Sequence, residues 1–151
     1  MKTTKREAHI EASPSTLYQY LRDPRHMVEW VSSMEDIRNV QGDGVGRTHD
    51  WTYRMAGVKL KGHTELVEDV PGRLLKTKTK GGVESTWTFA IAPDAKGSKL
   101  SLTVEYKLPV PVLGKLAEAL VVRRNEREAD LSIQHLQDLV KHAEGRQHAA
   151  E

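Results

Sequence analysis

Cysteine is absent from this chain of 151 residues. That excludes disulfides, thiolate metal sites and a cysteine nucleophile, and it fits a reducing, cytoplasmic setting. No apolar run approaches the roughly 20 residues needed to cross a bilayer. The charged opening Met1-Lys2-Thr3-Thr4-Lys5-Arg6 leads into no apolar stretch, so no secretory signal is expected. A charge excess is missing too. The 23 Lys and Arg face 21 Asp and Glu, which leaves +2 and none of the basic footprint that nucleic acid demands. No Gly-x-Ser-x-Gly elbow, phosphate-binding glycine loop or dinucleotide fingerprint occurs, so no cofactor is expected. The seven histidines (His9, His26, His49, His63, His135, His142, His148) are scattered. His135 and His142 stand one heptad apart, too far for ligands on adjacent helical turns, and no metal is expected.

What is present is a chain long enough for one domain. Its 38% hydrophobic content with 11 glycines, about 7% of the chain, makes roughly 45%, ordinary for a globular protein. The reading is a single domain over 1–151, its core about 5–143 and the tail 145–151 disordered. Lys5 to Ala12 reads as a strand with Ala8, Ile10 and Ala12 on one face. Ser13-Pro14 pairs an N-cap residue with the proline favoured at a first helical position, and Asp23-Pro24 repeats the signal. Two short helices follow, the first with Leu17, Tyr20 and Leu21 and the second with Met27, Val28, Trp30 and Val31.

From Met34 to Leu108 turn signals recur at Gly42-Asp43-Gly44, Ala56-Gly57, Pro71-Gly72, Gly81-Gly82 and Pro93 to Gly97. Between them the residues alternate: Arg47, His49, Trp51, Tyr53 and Met55; Val58, Leu60, Gly62, Thr64 and Leu66; Ser85, Trp87, Phe89 and Ile91; Leu100, Leu102, Val104 and Tyr106. Period-two alternation with tight turns indicates an antiparallel meander with one wet and one covered face. Leu74 to Lys80 is read as a strand whose lysines point to water. Leu108-Pro109-Val110-Pro111 cannot be an interior strand, since proline removes ladder donors, and serves as a hinge. A helix is expected from Val112 to about Glu144, with an apolar stripe including Leu113, Leu116, Ala117, Leu120, Leu131, Leu136, Leu139 and Val140.

Strand, two short helices, about six further strands and one long helix is a distinctive order. Its most specific stretch is Ile10-Glu11-Ala12-Ser13-Pro14, with Leu17, Leu21, Asp23-Pro24 and Glu29-Trp30 following. With Gly44-Val45-Gly46, Thr86-Trp87-Thr88-Phe89 and Leu108-Pro109-Val110-Pro111, it resembles the START-like (SRPBCC) superfamily, within it the polyketide cyclase/dehydrase and lipid-transport group. The resemblance spans about Lys5 to Ala143. It implies an α+β helix-grip fold, in which a curved antiparallel sheet of about seven strands wraps a long C-terminal helix. It also implies a cavity between them for a lipid, sterol, polyketide, quinone or hormone.

The covered sheet face and the facing helix stripe should line such a cavity. The candidates are Trp51, Tyr53, Met55, Leu60, Thr64, Trp87, Phe89, Leu102, Val104 and Tyr106 from strands, Leu116 and Leu120 from the long helix, and Met27 and Trp30 from the short pair. The same residue types could simply fill a core. Three Trp and four Tyr against one Phe favour a wall with polar handles. Arg47 and His49 share the face of Trp51 and Tyr53, and a wet strand end is the alternative for both. Arg124 is a candidate for an anionic head group, since Leu120, Arg124, Glu128 and Leu131 follow one stripe; intrahelical pairing in Arg123–Glu128 is the alternative.

Three functions fit. One is a binding or carrier module for a hydrophobic small molecule. Another is a cyclase/dehydrase-like enzyme using His49, Tyr53 and Arg54 or Arg124. The resemblance also admits a partner-dependent chaperone or toxin, touching a membrane or partner peripherally through an apolar lip at Val110, Val112 and Leu113. A monomer or a homodimer would serve equally.

Overall fold

The computed structural model describes residues 1–55, 57–108 and 118–150. The chain opens with β1 (Lys2–Ile10), α1 (Pro14–Arg22), a single 3-10 turn (Pro24–His26) and α2 (Met27–Trp30). Six strands follow: β2 (Met34–Gln41), β3 (Thr48–Met55), β4 (Val58–Val70), β5 (Leu74–Gly81), β6 (Glu84–Asp94) and β7 (Gly97–Lys107). The last described element is α3 (Glu118–Ala150). The sheet is antiparallel throughout, in the order β1-β7-β6-β5-β4-β3-β2. This is the helix-grip architecture.

Local chemistry sets the entry into the fold. The Ser13 side chain accepts a hydrogen bond from the Thr16 amide at 3.2 Å, with Pro14 opening α1. The Asp23 carboxylate accepts from the Arg25 amide at 3.0 Å, which caps the 3-10 turn. Across the sheet, Trp87 pairs with Val104, Phe89 with Leu102 and Ile91 with Leu100, so the apolar alternation of β6 and β7 falls on one covered face. Register shifts in β2 and between Leu66 and Glu68 of β4 mark irregularities, which bend strands and increase twist.

The helix closes the grip. Ile133, Leu136 and Val140 of α3 join Ile10, Leu17, Trp30, Phe89 and Leu100 in the larger core cluster. A smaller cluster of Trp51, Met55, Leu60, Val83, Tyr106, Leu108 and Val121 fills the other end. Arg6 of β1 ties the edge strand to α3 through Glu126 and Asp130.

Two expectations about α3 need correcting. Its inward stripe is Val121, Asn125, Glu128, Ala129, Ser132, Leu136 and Val140, while Leu120 is 69% exposed and Leu131 46%. Leu136 and Val140 of the expected stripe do pack inward, with Leu139 against them. Leu120 and Leu131 lie one residue off the inward face, about 100° around the helix, because over the cavity that face carries polar residues that a hydrophobic pattern passes over. The helix also continues beyond Gly145 through Ala150, where a disordered tail was expected. Leu116 and the hinge residues Val110, Val112 and Leu113 lie outside the described residues.

Candidate ligand cavity

The grip forms a partly open cavity of about 150 Å³ between the sheet, the short helices and α3. Arg47, just before β3, and the alternate β3 residues His49, Trp51, Tyr53 and Met55 form one wall. Thr64 and Leu66 of β4, Leu75, Thr77 and Thr79 of β5, and Ser85, Trp87 and Phe89 of β6 extend it. Leu102, Val104 and Tyr106 of β7 continue the sheet side. Met27 and Trp30 come from α2, and Asn125, Glu128, Ala129 and Ser132 from α3.

The aromatic part of the wall is a packed corner. Trp30 meets Trp87 edge-on with centroids 6.4 Å apart, and meets Phe89 at 6.1 Å. The Trp87 indole donates to Ser85 Oγ at 3.2 Å, and Ser85 shares a 2.6 Å hydrogen bond with Thr79. At the α3 side the Glu128 carboxylate accepts from Tyr53 at 3.2 Å and from Ser33 at 3.0 Å. Burial first, and the Glu128 charge second, hold the Tyr53 hydroxyl well above its ordinary pKa, so it remains a donor.

At the other end of β3 the polar groups are unsatisfied. Arg47 is 8% exposed and His49 4%, so neither sits on a wet rim. The Arg47 Nε is buried without a hydrogen-bond partner, as is the Trp51 indole nitrogen. Burial, then the Arg47 charge, pushes the His49 imidazole down to about 4, so at neutral pH it is uncharged. The remaining charged neighbours, His63 and Asp50, lower and raise it by less.

This neutrality has a measurable consequence. An unfolded chain protonates His49 near 6.5 whereas the folded protein waits until about 4. In that window the unfolded state binds more protons, so stability rises with pH from about 4 to 6.5 and is lost on acidification. The difference amounts to about 3 kcal/mol. Denaturant titrations at pH 7 and pH 4 on wild type and His49→Gln should show the wild type losing that much more than the variant. Equal losses would mean that His49 is not held neutral.

Of the residues singled out in the sequence, Trp30, His49, Trp51, Tyr53, Met55, Thr64, Trp87, Phe89, Leu102, Val104 and Tyr106 meet on this wall, with Met27 beside them. Leu60 does not line it; Leu60 is buried in the smaller cluster, where Val83, Leu108 and Val121 also pack. Leu120 and Arg124 point elsewhere, into an outer groove of α3, and Arg124 pairs with Glu128 at 3.5 Å. Arg54, on the opposite face of β3, pairs with Glu35 at 2.9 Å in solvent. The β5 residues and the polar face of α3 were missed. Alternation on β5 could have revealed Leu75, Thr77 and Thr79; nothing in the hydrophobic pattern marks Asn125 or Ser132.

A family model for polyketide cyclase/dehydrase and lipid transport matches residues 1–141. The chain belongs to this family. No functionally curated protein matches it. Among solved structures the family member resembles TTHA0849 from Thermus thermophilus, with TM-score 0.81 and 21% identity over 94% of this chain and 99% of that one. It also resembles the ZhuI aromatase/cyclase from Streptomyces sp. R1128, at TM-score 0.72 and 14% identity over 93% of each chain. The Aha1 dimer from Colwellia psychrerythraea aligns at TM-score 0.64 and 16% identity, over 93% of this chain and 97% of that one. At such identities the likeness is one of fold. Among the described residues, no helix of this family member is long and apolar enough to cross a membrane, and no group of side chains is arranged to hold a metal.

Proposed function

We propose that the protein binds a small hydrophobic or amphipathic molecule in the cavity between sheet and α3. One observation carries this: the space is lined by indole, phenol and aliphatic groups, yet its wall includes buried polar groups with no partner. A dry core would not retain such groups, because an unsatisfied buried donor costs about 1–3 kcal/mol. Size narrows the ligand. A space of about 150 Å³ accommodates about one aromatic ring, so an extended polyketide chain would have to reach out through the opening or have side chains move aside. Trp30, His49, Trp51, Tyr53, Met55, Thr64, Trp87, Phe89, Leu102, Val104 and Tyr106 are the contacts this reading assigns. A cytoplasmic carrier, as monomer or homodimer, accords with the cysteine-free chain.

A second reading is favoured by one feature. The uncharged imidazole of His49 faces the cavity and can accept a proton from a bound substrate, as a cyclase or dehydrase requires. Native mass spectrometry of the purified protein separates the two. A stoichiometric adduct, released on denaturation, is the expected result and identifies the ligand class. A clean mass for the empty chain, unchanged on addition of small aromatic compounds, would sink the carrier reading and favour the enzyme.

A further inference from the structure

We propose that Arg47 anchors a carboxylate on the ligand of this cavity, which makes the ligand class small apolar monocarboxylic acids. The inference rests on the binding reading above and deepens it.

Arg47 lies at the start of the β3 wall, more than nine-tenths buried, and its side chain has no hydrogen-bond or ion-pair partner among the described residues. Acids stand near it, but each is engaged elsewhere. Asp69 accepts from the Tyr18 hydroxyl, Asp43 from Arg22, and Asp23 caps the backbone at Arg25. Arg22 adds a second positive charge to the neighbourhood. A guanidinium buried with no carboxylate paired directly to it is costly, and burial together with Arg22 depresses its pKa although the three acids partly offset this.

A carboxylate matches this vacancy in charge and shape. The guanidinium fork takes a planar carboxylate in two parallel hydrogen bonds. His49, two residues along the same face, adds an uncharged N–H donor. The opposite end of the wall excludes an anion. There Tyr53 is bonded to the Glu128 carboxylate, six residues from Arg47, roughly 20 Å along an extended strand. The acid group therefore sits at Arg47, with the apolar body toward Trp51, Trp87 and Phe89.

Phenylacetate and its neutral isostere phenylacetamide test this, each displacing the uncharged single-ring ligand toluene, followed by saturation-transfer NMR, from the full-length protein. The acid should compete at least about tenfold better than the amide, the scale of a charge-assisted hydrogen bond. Arg47→Gln should weaken the acid roughly 10- to 100-fold, leave the amide unchanged, and raise the melting temperature of the empty protein by removing an unpaired charge. Arg47→Lys should recover part of the acid affinity. If acid and amide compete equally in wild type, the cavity binds ligands but Arg47 is not the anchor. Unchanged acid affinity in Arg47→Gln overturns the proposal in the same way, and should that variant fail to fold, the wild-type comparison decides alone. If neither toluene, acid nor amide binds, the cavity reading itself fails, and this inference with it.

Discussion

Thr64→Trp is expected to abolish ligand binding while leaving the fold in place. Thr64 is buried at the middle of the wall, paired across the sheet with His49 on one side and Thr79 on the other. Its hydroxyl has no hydrogen-bond partner among the described residues, so the substitution breaks no polar contact. An indole there projects into a cavity of about 150 Å³ and takes up most of it. Because the space is already empty, the cost to stability should stay near the low end of the ~1–3 kcal/mol typical of overpacking. Binding should weaken by at least about 100-fold, close to 3 kcal/mol. Toluene displacement and thermal melting on the same sample check both halves. Full affinity in a folded variant would show that the ligand does not occupy this space.

Gly62→Ala should produce the largest loss of stability. Gly62 of β4 lies opposite Trp51 of β3 and beside Gly81 of β5. A Cβ built there would collide with Cζ2 of the Trp51 indole and with the Lys80 carbonyl oxygen, and would approach Cε2 of Trp51 to 2.7 Å. The indole occupies the space a side chain would need, so glycine is required by close approach rather than by backbone angle. An indole could tilt away, but a carbonyl within the β4–β5 ladder cannot move without breaking sheet hydrogen bonds. The expected cost is therefore about 3 kcal/mol or more, a fall in melting temperature of about 6–12 °C for a chain of this size. Adding Trp51→Leu should return only part of that loss, because the Lys80 clash remains. Full recovery in the double variant would mean that the indole alone fixes Gly62, and no loss in Gly62→Ala would refute the packing argument.

The two sites differ in how far the sequence announces them. Trp51 and Thr64 fall on the covered face by simple alternation, and the same rule places Tyr53, Trp87, Phe89, Leu102 and Val104. The rule works because each strand of this meander has one wet face and one dry face, which forces a period of two onto the residues. The helix obeys a different constraint. Where α3 crosses the cavity it presents Asn125, Glu128 and Ser132, whereas Leu120 and Leu131 face outward. Hydrophobic periodicity locates the face that packs on a dry core, and the face over a cavity with hydrogen-bonding needs is not that face.

The meander of β2 to β7, the capped helices and the covered side of the sheet were thus determined by the sequence itself, since caps, turns and alternation act over a few residues, whereas the pairing of β1 with the distant β7 was not. The burial of Arg47, the neutrality of His49 and the size of the cavity were decided only by the tertiary structure. Each depends on side chains brought together from distant strands and helices: Arg47 is unpaired because Tyr18, Arg22 and the Arg25 amide have already taken the nearby carboxylates. A cavity is the remainder left when every wall has packed, and no local pattern encodes a remainder.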